Sequence, residues 1–163
     1  MAETKNIFIP RTVAAENTDS LVKTGTASIE LRNGDIVAVG DKTNGIFELT
    51  AVTSTTTRYG VVYNADVVTE SGYRGLSDDP RNVTFAANTP VNFYIPKKND
   101  EIAVTVVAGT SANATHLVPT VNGTGYTYAS EAGSTLSFAI TGNKFISVGN
   151  ERVATVEAIC VAE

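Results

Sequence analysis

From Lys23 onward, hydrophobic and polar positions alternate mainly with a period of two, the spacing of a β-strand with one face buried. Ser28-Ile-Glu-Leu31, Asp35-Ile-Val-Ala-Val39 and Gly45-Ile-Phe-Glu-Leu-Thr-Ala-Val52 are short runs of this kind, with Asn33-Gly34 and Asn44-Gly45 between them. Asn-Gly readily takes the positive φ angles of a two-residue type I′ turn, so both dipeptides predict hairpins. Arg58–Tyr63, Val91–Ile95 and Glu101–Val107 continue the pattern, and Pro96–Asp100 is a polar turn between the last two. Further on, strands are predicted at Ser134–Ile140, Lys144–Val148 and Arg152–Val161, with turns at Asn122-Gly123, Gly142-Asn143 and Gly149-Asn150. Thr69–Asn82 and Ala108–Thr115 are small and polar and predict surface loops. No stretch carries the 3.6-residue period of a long amphipathic helix, and no unit repeats every 20–50 residues.

The leading segment breaks this pattern. Asn6-Ile-Phe-Ile-Pro-Arg11 is a short apolar patch ending in proline, and Thr12–Ser20 has little periodicity beyond a possible helical turn at Val13–Glu16. Pro10 holds Ile9 extended and removes a backbone donor, which suits an arm or an edge strand. The expected architecture is all-β: an antiparallel β-sandwich or small β-barrel over residues 23–163, with an extended N-terminal arm over residues 1–22. Lys5, Ile7, Phe8, Ile9, Pro10 and Arg11 are the candidate binding residues of that arm, because a lone domain seldom leaves such apolar side chains uncovered. The alternative for them is an edge strand packed on the chain's own barrel.

At 163 residues and 17.1 kDa the chain fits one domain with a sizeable core. Charged residues make up 18%, below the roughly 25% usual in soluble domains, and Thr, Ser, Asn, Gly and Ala take their place. That exchange favours tight-turned sheets and faces destined for other subunits. The net charge of −5, with no concentration of Lys and Arg, speaks against nucleic acid as a partner. No run approaches the 18 or so apolar residues of a membrane helix, and Met1–Asn6 lacks the basic start and apolar stretch of a secretory signal. The product is therefore expected in the cytosol where it is made, or within an assembly that leaves it.

Candidate chemistry is sparse. His116 is the single histidine, without a Gly-x-Ser-x-Gly elbow anywhere, so a Ser–His–acid triad has little to build on. One histidine and the distant Cys160 do not make a zinc site, and Cys160 lies in an apolar run as a buried small residue. Asp78-Asp79 lacks the spacing of a calcium loop, and Gly123-Thr-Gly125 is followed by no helix that could seat a phosphate. Glu30, Glu48, Asp66 and Glu70 are the carboxylates from which a hydrolytic pair would have to be drawn, and their spacing fixes no geometry. The three Asn-x-Ser/Thr triplets at Asn82, Asn113 and Asn122 read as turn residues. No catalytic residue, metal or cofactor is expected.

The order of features resembles the capsid decoration, or cement, proteins of tailed bacteriophages. The resemblance rests on the arm Asn6–Pro10, on Asn33–Gly40 followed by Gly45–Leu49 and Tyr59–Val62, and on the closing Lys144–Val148 with Val153–Ile159. It implies a non-enzymatic virion protein, made in the host cytoplasm, that clusters on the outside of the head as a homo-oligomer, often a trimer. It also implies that major capsid subunits are the partners and that the segment around residues 5–11 orders on the shell. A second reading is a carbohydrate- or receptor-binding β module of a phage fibre or surface adhesin. That reading needs an exposed aromatic platform, for which Tyr73, Tyr126 and Tyr128 are the loop candidates and no tryptophan is present.

Overall fold

A computed structural model describes residues 8–12, 22–63, 84–105, 107–148 and 150–162. Lys5, Ile7, the Val13–Glu16 turn, Asp66, the Thr69–Asn82 loop with Glu70, Tyr73 and Asp78-Asp79, and the triplet start Asn82 lie outside them. The described residues form eleven strands and no helix, so the all-β expectation holds. The strands are β1 (Phe8–Thr12), β2 (Val22–Ala27), β3 (Ile36–Thr43), β4 (Ile46–Thr50), β5 (Tyr59–Val62) and β6 (Val91–Tyr94). They continue as β7 (Glu101–Val104), β8 (His116–Pro119), β9 (Tyr126–Ala129), β10 (Ser137–Val148) and β11 (Glu151–Ala162).

Five of them close into a barrel in the order β2-β4-β3-β5-β6, and the other six form a sheet in the order β1-β7-β11-β10-β8-β9. The sequence left a β-sandwich and a small barrel as alternatives, and the described strands form two antiparallel-dominated sheets, one of them closed. Every strand pair is antiparallel except β2 with β4, where Gly25, Thr26 and Ala27 run beside Phe47, Glu48 and Leu49. Closure leaves the barrel with no open edge, so its backbone groups find partners around the ring.

Alternation explains why β3, β5 and β6 read as nearly continuous apolar runs. Val37, Val39, Val62, Val91 and Phe93 point into the barrel with Ala27, Leu31 and Leu49. Their neighbours Ile36, Val61 and Tyr94 point outward into a second cluster with Ile102, Val104, Leu117, Tyr126, Phe138, Val156, Ala158 and Cys160 of the sheet. These strands are buried on both faces, one filled by the barrel's own lumen and the other by the six-stranded sheet. Fully burying a large apolar side chain contributes roughly 1.5–3 kcal/mol, and this shared layer contains several.

The lumen is narrow. A Cβ added at Gly60 would lie 2.6 Å from Phe93 Cδ2, and one added at Gly25 would lie 2.6 Å from Leu49 Cγ. Glycine there makes room for Phe93 and Leu49, and it also hid β2 from the hydrophobic pattern. The run Ser28–Leu31 is therefore corrected: the strand is Val22–Ala27, and only Leu31 of the predicted run pairs, through a bridge to Phe85.

Turns divide in the same way. Asn44 and Gly45 have φ of 52° and 86°, the predicted type I′ pattern joining β3 to β4. At Asn33-Gly34 only Gly34 is positive, at 91°, and the turn leads into β3 instead of joining two paired strands. It is tied by Asp35 N–H to the Arg32 carbonyl at 3.1 Å and by Arg32 N–H to Asp35 Oδ2 at 2.8 Å. Gly142-Asn143 is not a turn. Ser137–Val148 is one strand, and the register shift between Ile140 and Gly142 marks a bulge.

Candidate functional site

The residues singled out from the sequence do not converge. Phe8, Ile9, Pro10 and Arg11 fall in β1, which pairs with β7 at the edge of the six-stranded sheet: Phe8 is opposite Val104, Ile9 opposite Ala103 and Pro10 opposite Ile102. The described part of the arm thus lies at an edge of the six-stranded sheet and not on the barrel, and an edge accommodates a proline because one row of backbone groups has no ladder to complete. His116 lies on β8, with Nδ1 2.8 Å from Thr115 Oγ1, and Cys160 is buried in the layer between barrel and sheet. Glu30 pairs with Arg32 at 3.3 Å on the surface, and Glu48 is exposed on β4. Among the described residues no three His, Cys, Asp or Glu side chains gather closely enough to hold a metal ion.

The tyrosines are mostly structural. Tyr126 is fully buried and meets Phe138 edge-on at 6.2 Å, and its hydroxyl donates to the Gly34 carbonyl at 2.9 Å. Tyr94 is buried in the same layer, while Tyr59, Tyr63 and Tyr128 are partly buried against it. Tyr126 and Tyr128 therefore sit on β9 in or against the core, which removes two of the three residues proposed for an aromatic platform.

The joint between barrel and sheet is held by backbone and one acid. Ile36 N–H donates to Thr124 O at 2.7 Å, Val52 N–H to Gly123 O at 3.0 Å, and Asn122 N–H to Val52 O at 2.7 Å. Asp35 lies in this joint, and burial pushes its carboxyl from 3.8 up to about 6. Hydrogen bonds from the Arg32 backbone and the Thr124 side chain, with the Arg32 charge, oppose that rise only in part. Beside the joint an open cleft of about 320 Å³ is lined by Arg58, Tyr59, Ile95, Pro96, Lys97 and Leu136. Arg58 reaches from it toward the Gly40 carbonyl at 3.4 Å and the Phe47 ring at 5.9 Å.

The most unusual surface is the far half of the β10–β11 hairpin. Near its root β10 is flanked by β8 at Phe138 and Ala139, and β11 by β7 from Val156 to Ile159. Beyond those residues the two strands pair only with each other among the described residues, out to Val148 opposite Glu151. Phe138, Ile140, Val156, Ala158 and Cys160 share the face that packs on the barrel. The same face continues outward through Asn143, Phe145 and Ser147, opposite Val156, Ala154 and Arg152. There the barrel no longer covers it: Phe145 is 60% exposed, and the Arg152 guanidinium lies over its ring at 4.2 Å. A two-stranded ribbon alone is marginal in water, so an uncovered extension of a core face is a surface suited to a partner. The sequence pattern had marked Lys144–Val148 as a strand but could not show that its neighbours stop short.

No protein-family model matches the chain, and no curated protein or solved structure matches it.

Proposed function

We propose that this is a virion structural protein that decorates and stabilises the outside of a tailed-phage capsid by binding major capsid subunits. The observation that carries this reading is the ribbon of β10 and β11, whose barrel-facing side runs on past the barrel and ends on the exposed Phe145. Such a face gains free energy by covering apolar area, which is a means by which one polypeptide holds another. The order of strands and turns that resembles cement proteins supports the same reading. Modest contacts suffice in this role, since copies that are linked together engage a repeating shell with the later contacts made intramolecularly. With Tyr126 buried and Tyr128 packed on the core, the glycan- or receptor-binding reading has little aromatic surface among the described residues.

Co-sedimentation tests the proposal. Heads assembled without this chain, from the major capsid protein of the same phage, should bind the purified protein to a saturating number of copies per shell. Ala154→Asp, which places a carboxylate beside Phe145 on the exposed face, should reduce occupancy at equal protein concentration. Absence of any saturable binding by the folded protein to such heads would overturn the proposal.

A further inference from the structure

The open edge of β10 has a symmetry of its own. β8 pairs with β10 at Phe138 and Ala139, Thr115 O takes the Ile140 N–H at 2.9 Å, and the bulge follows. No described strand borders residues 142–148 on that side. The midpoint of this stretch is Phe145, the most exposed large apolar residue described.

The direction of the backbone groups follows from two contacts. In an antiparallel strand the N–H and C=O of one residue point to the same side, and the side alternates along the chain. The Thr155 hydroxyl donates to the Lys144 carbonyl at 3.1 Å, which places the Lys144 carbonyl on the β11 side. Asn143, Phe145 and Ser147 therefore aim their N–H and C=O groups out of the open edge.

We propose that a second copy of this chain pairs with it along this edge, β10 against β10, about a two-fold axis through Phe145. Each Phe145 then exchanges two backbone hydrogen bonds with its counterpart, Asn143 lies opposite Ser147, and Lys144 lies opposite Ile146. No like charges face each other, and the two aromatic rings form a cross-strand pair on the uncovered face. An isologous contact needs a patch that complements itself, and an edge whose free length is centred on its apolar residue meets that condition. The corresponding edge of β11, residues 151–155, is shorter and has Val153 at its centre, which is partly buried. Pairing joins two hairpins into a four-stranded sheet and so relieves the weakness of each ribbon alone. The contact is two-fold, in place of the threefold clustering that the resemblance to cement proteins implies, and it does not depend on capsid binding.

The test uses the purified full chain without capsids. Sedimentation equilibrium should give twice the 17.1 kDa chain mass at micromolar concentration. Ser147→Pro removes an outward N–H and leaves the ladder to β11 intact, so it should weaken self-association about tenfold or more while circular dichroism stays unchanged. In a Cys160→Ala background, Phe145→Cys should form a disulfide-linked dimer on mild oxidation, because directly paired Cα atoms lie about 5.5 Å apart. Lys144→Cys should not, since its counterpart is displaced along the strand. A monomer at every concentration, a trimeric mass, or a dimer that forms without crosslinking through Phe145→Cys would overturn the proposal. If Ser147→Pro fails to fold, the crosslinking pair decides alone.

Discussion

The barrel and the ribbon are built from the same materials and held by different means. Both are built from strands rich in β-branched residues, yet the barrel strands β3, β5 and β6 are buried on two faces, while the outer ribbon carries Phe145 at 60% exposure. The barrel completes its hydrogen bonds by closing on itself. Among the described residues each strand of the outer ribbon has only the other to pair with, so its stability is borrowed from the sheet at its root or from another molecule. Burial on two faces makes a region intolerant of change, and an open edge makes a region available.

Substitutions should separate the two regions by size of effect. Phe93→Ala empties the centre of the barrel and should cost about 3–5 kcal/mol in denaturant unfolding. Gly60→Ala should cost about 1–3 kcal/mol, because the new methyl would overlap Phe93 and crowd Val39 Cγ2 at 3.1 Å. A cost below 0.5 kcal/mol for either would mean that the lumen is looser than described. Asp35→Asn probes the joint. The folded carboxyl titrates near 6 and the unfolded one near 3.8, so above pH 6 both are ionised and only the folded state bears the cost of burying charge. As pH falls through 6 the folded state takes up a proton that the unfolded state does not, and this group then favours folding. Asparagine should therefore stabilise the protein at pH 8 by up to about 2 kcal/mol and flatten the rise in stability between pH 7 and pH 5. An unchanged pH profile would show that Asp35 is better hydrated than its setting implies. Phe145→Ser should change the unfolding free energy of the dilute chain by less than about 0.5 kcal/mol, because little is lost where little is buried.

How far the sequence carried can be traced to what each residue contributes. Val91–Tyr94, Tyr59–Val62 and the long last strand were legible because alternating large apolar residues fill two real faces. The Asn44-Gly45 hairpin was legible because both residues tolerate positive φ. β2 was missed because its inward positions are Gly25 and Ala27, whose value lies in being small. β8 and β9 were missed because His116, Pro119 and Tyr126–Ala129 sit among threonines and glycines that look like loop. The candidate surface was half legible: the Lys144–Val148 strand and the apolar Phe145 were visible, but where β7 and β8 end is set by tertiary pairing that no local pattern encodes.

The bulge in β10 has a consequence for which side chains are offered to the outside. Upstream of Thr141 the even-numbered residues Phe138 and Ile140 face the barrel, and downstream the odd-numbered Asn143, Phe145 and Ser147 do. One supernumerary residue thus resets the strand's parity. If Thr141 paired as an ordinary ladder residue, Lys144 and Ile146 would turn toward the barrel side and Phe145 would go to the opposite surface, so the identity of the outer patch hangs on a single bulged residue.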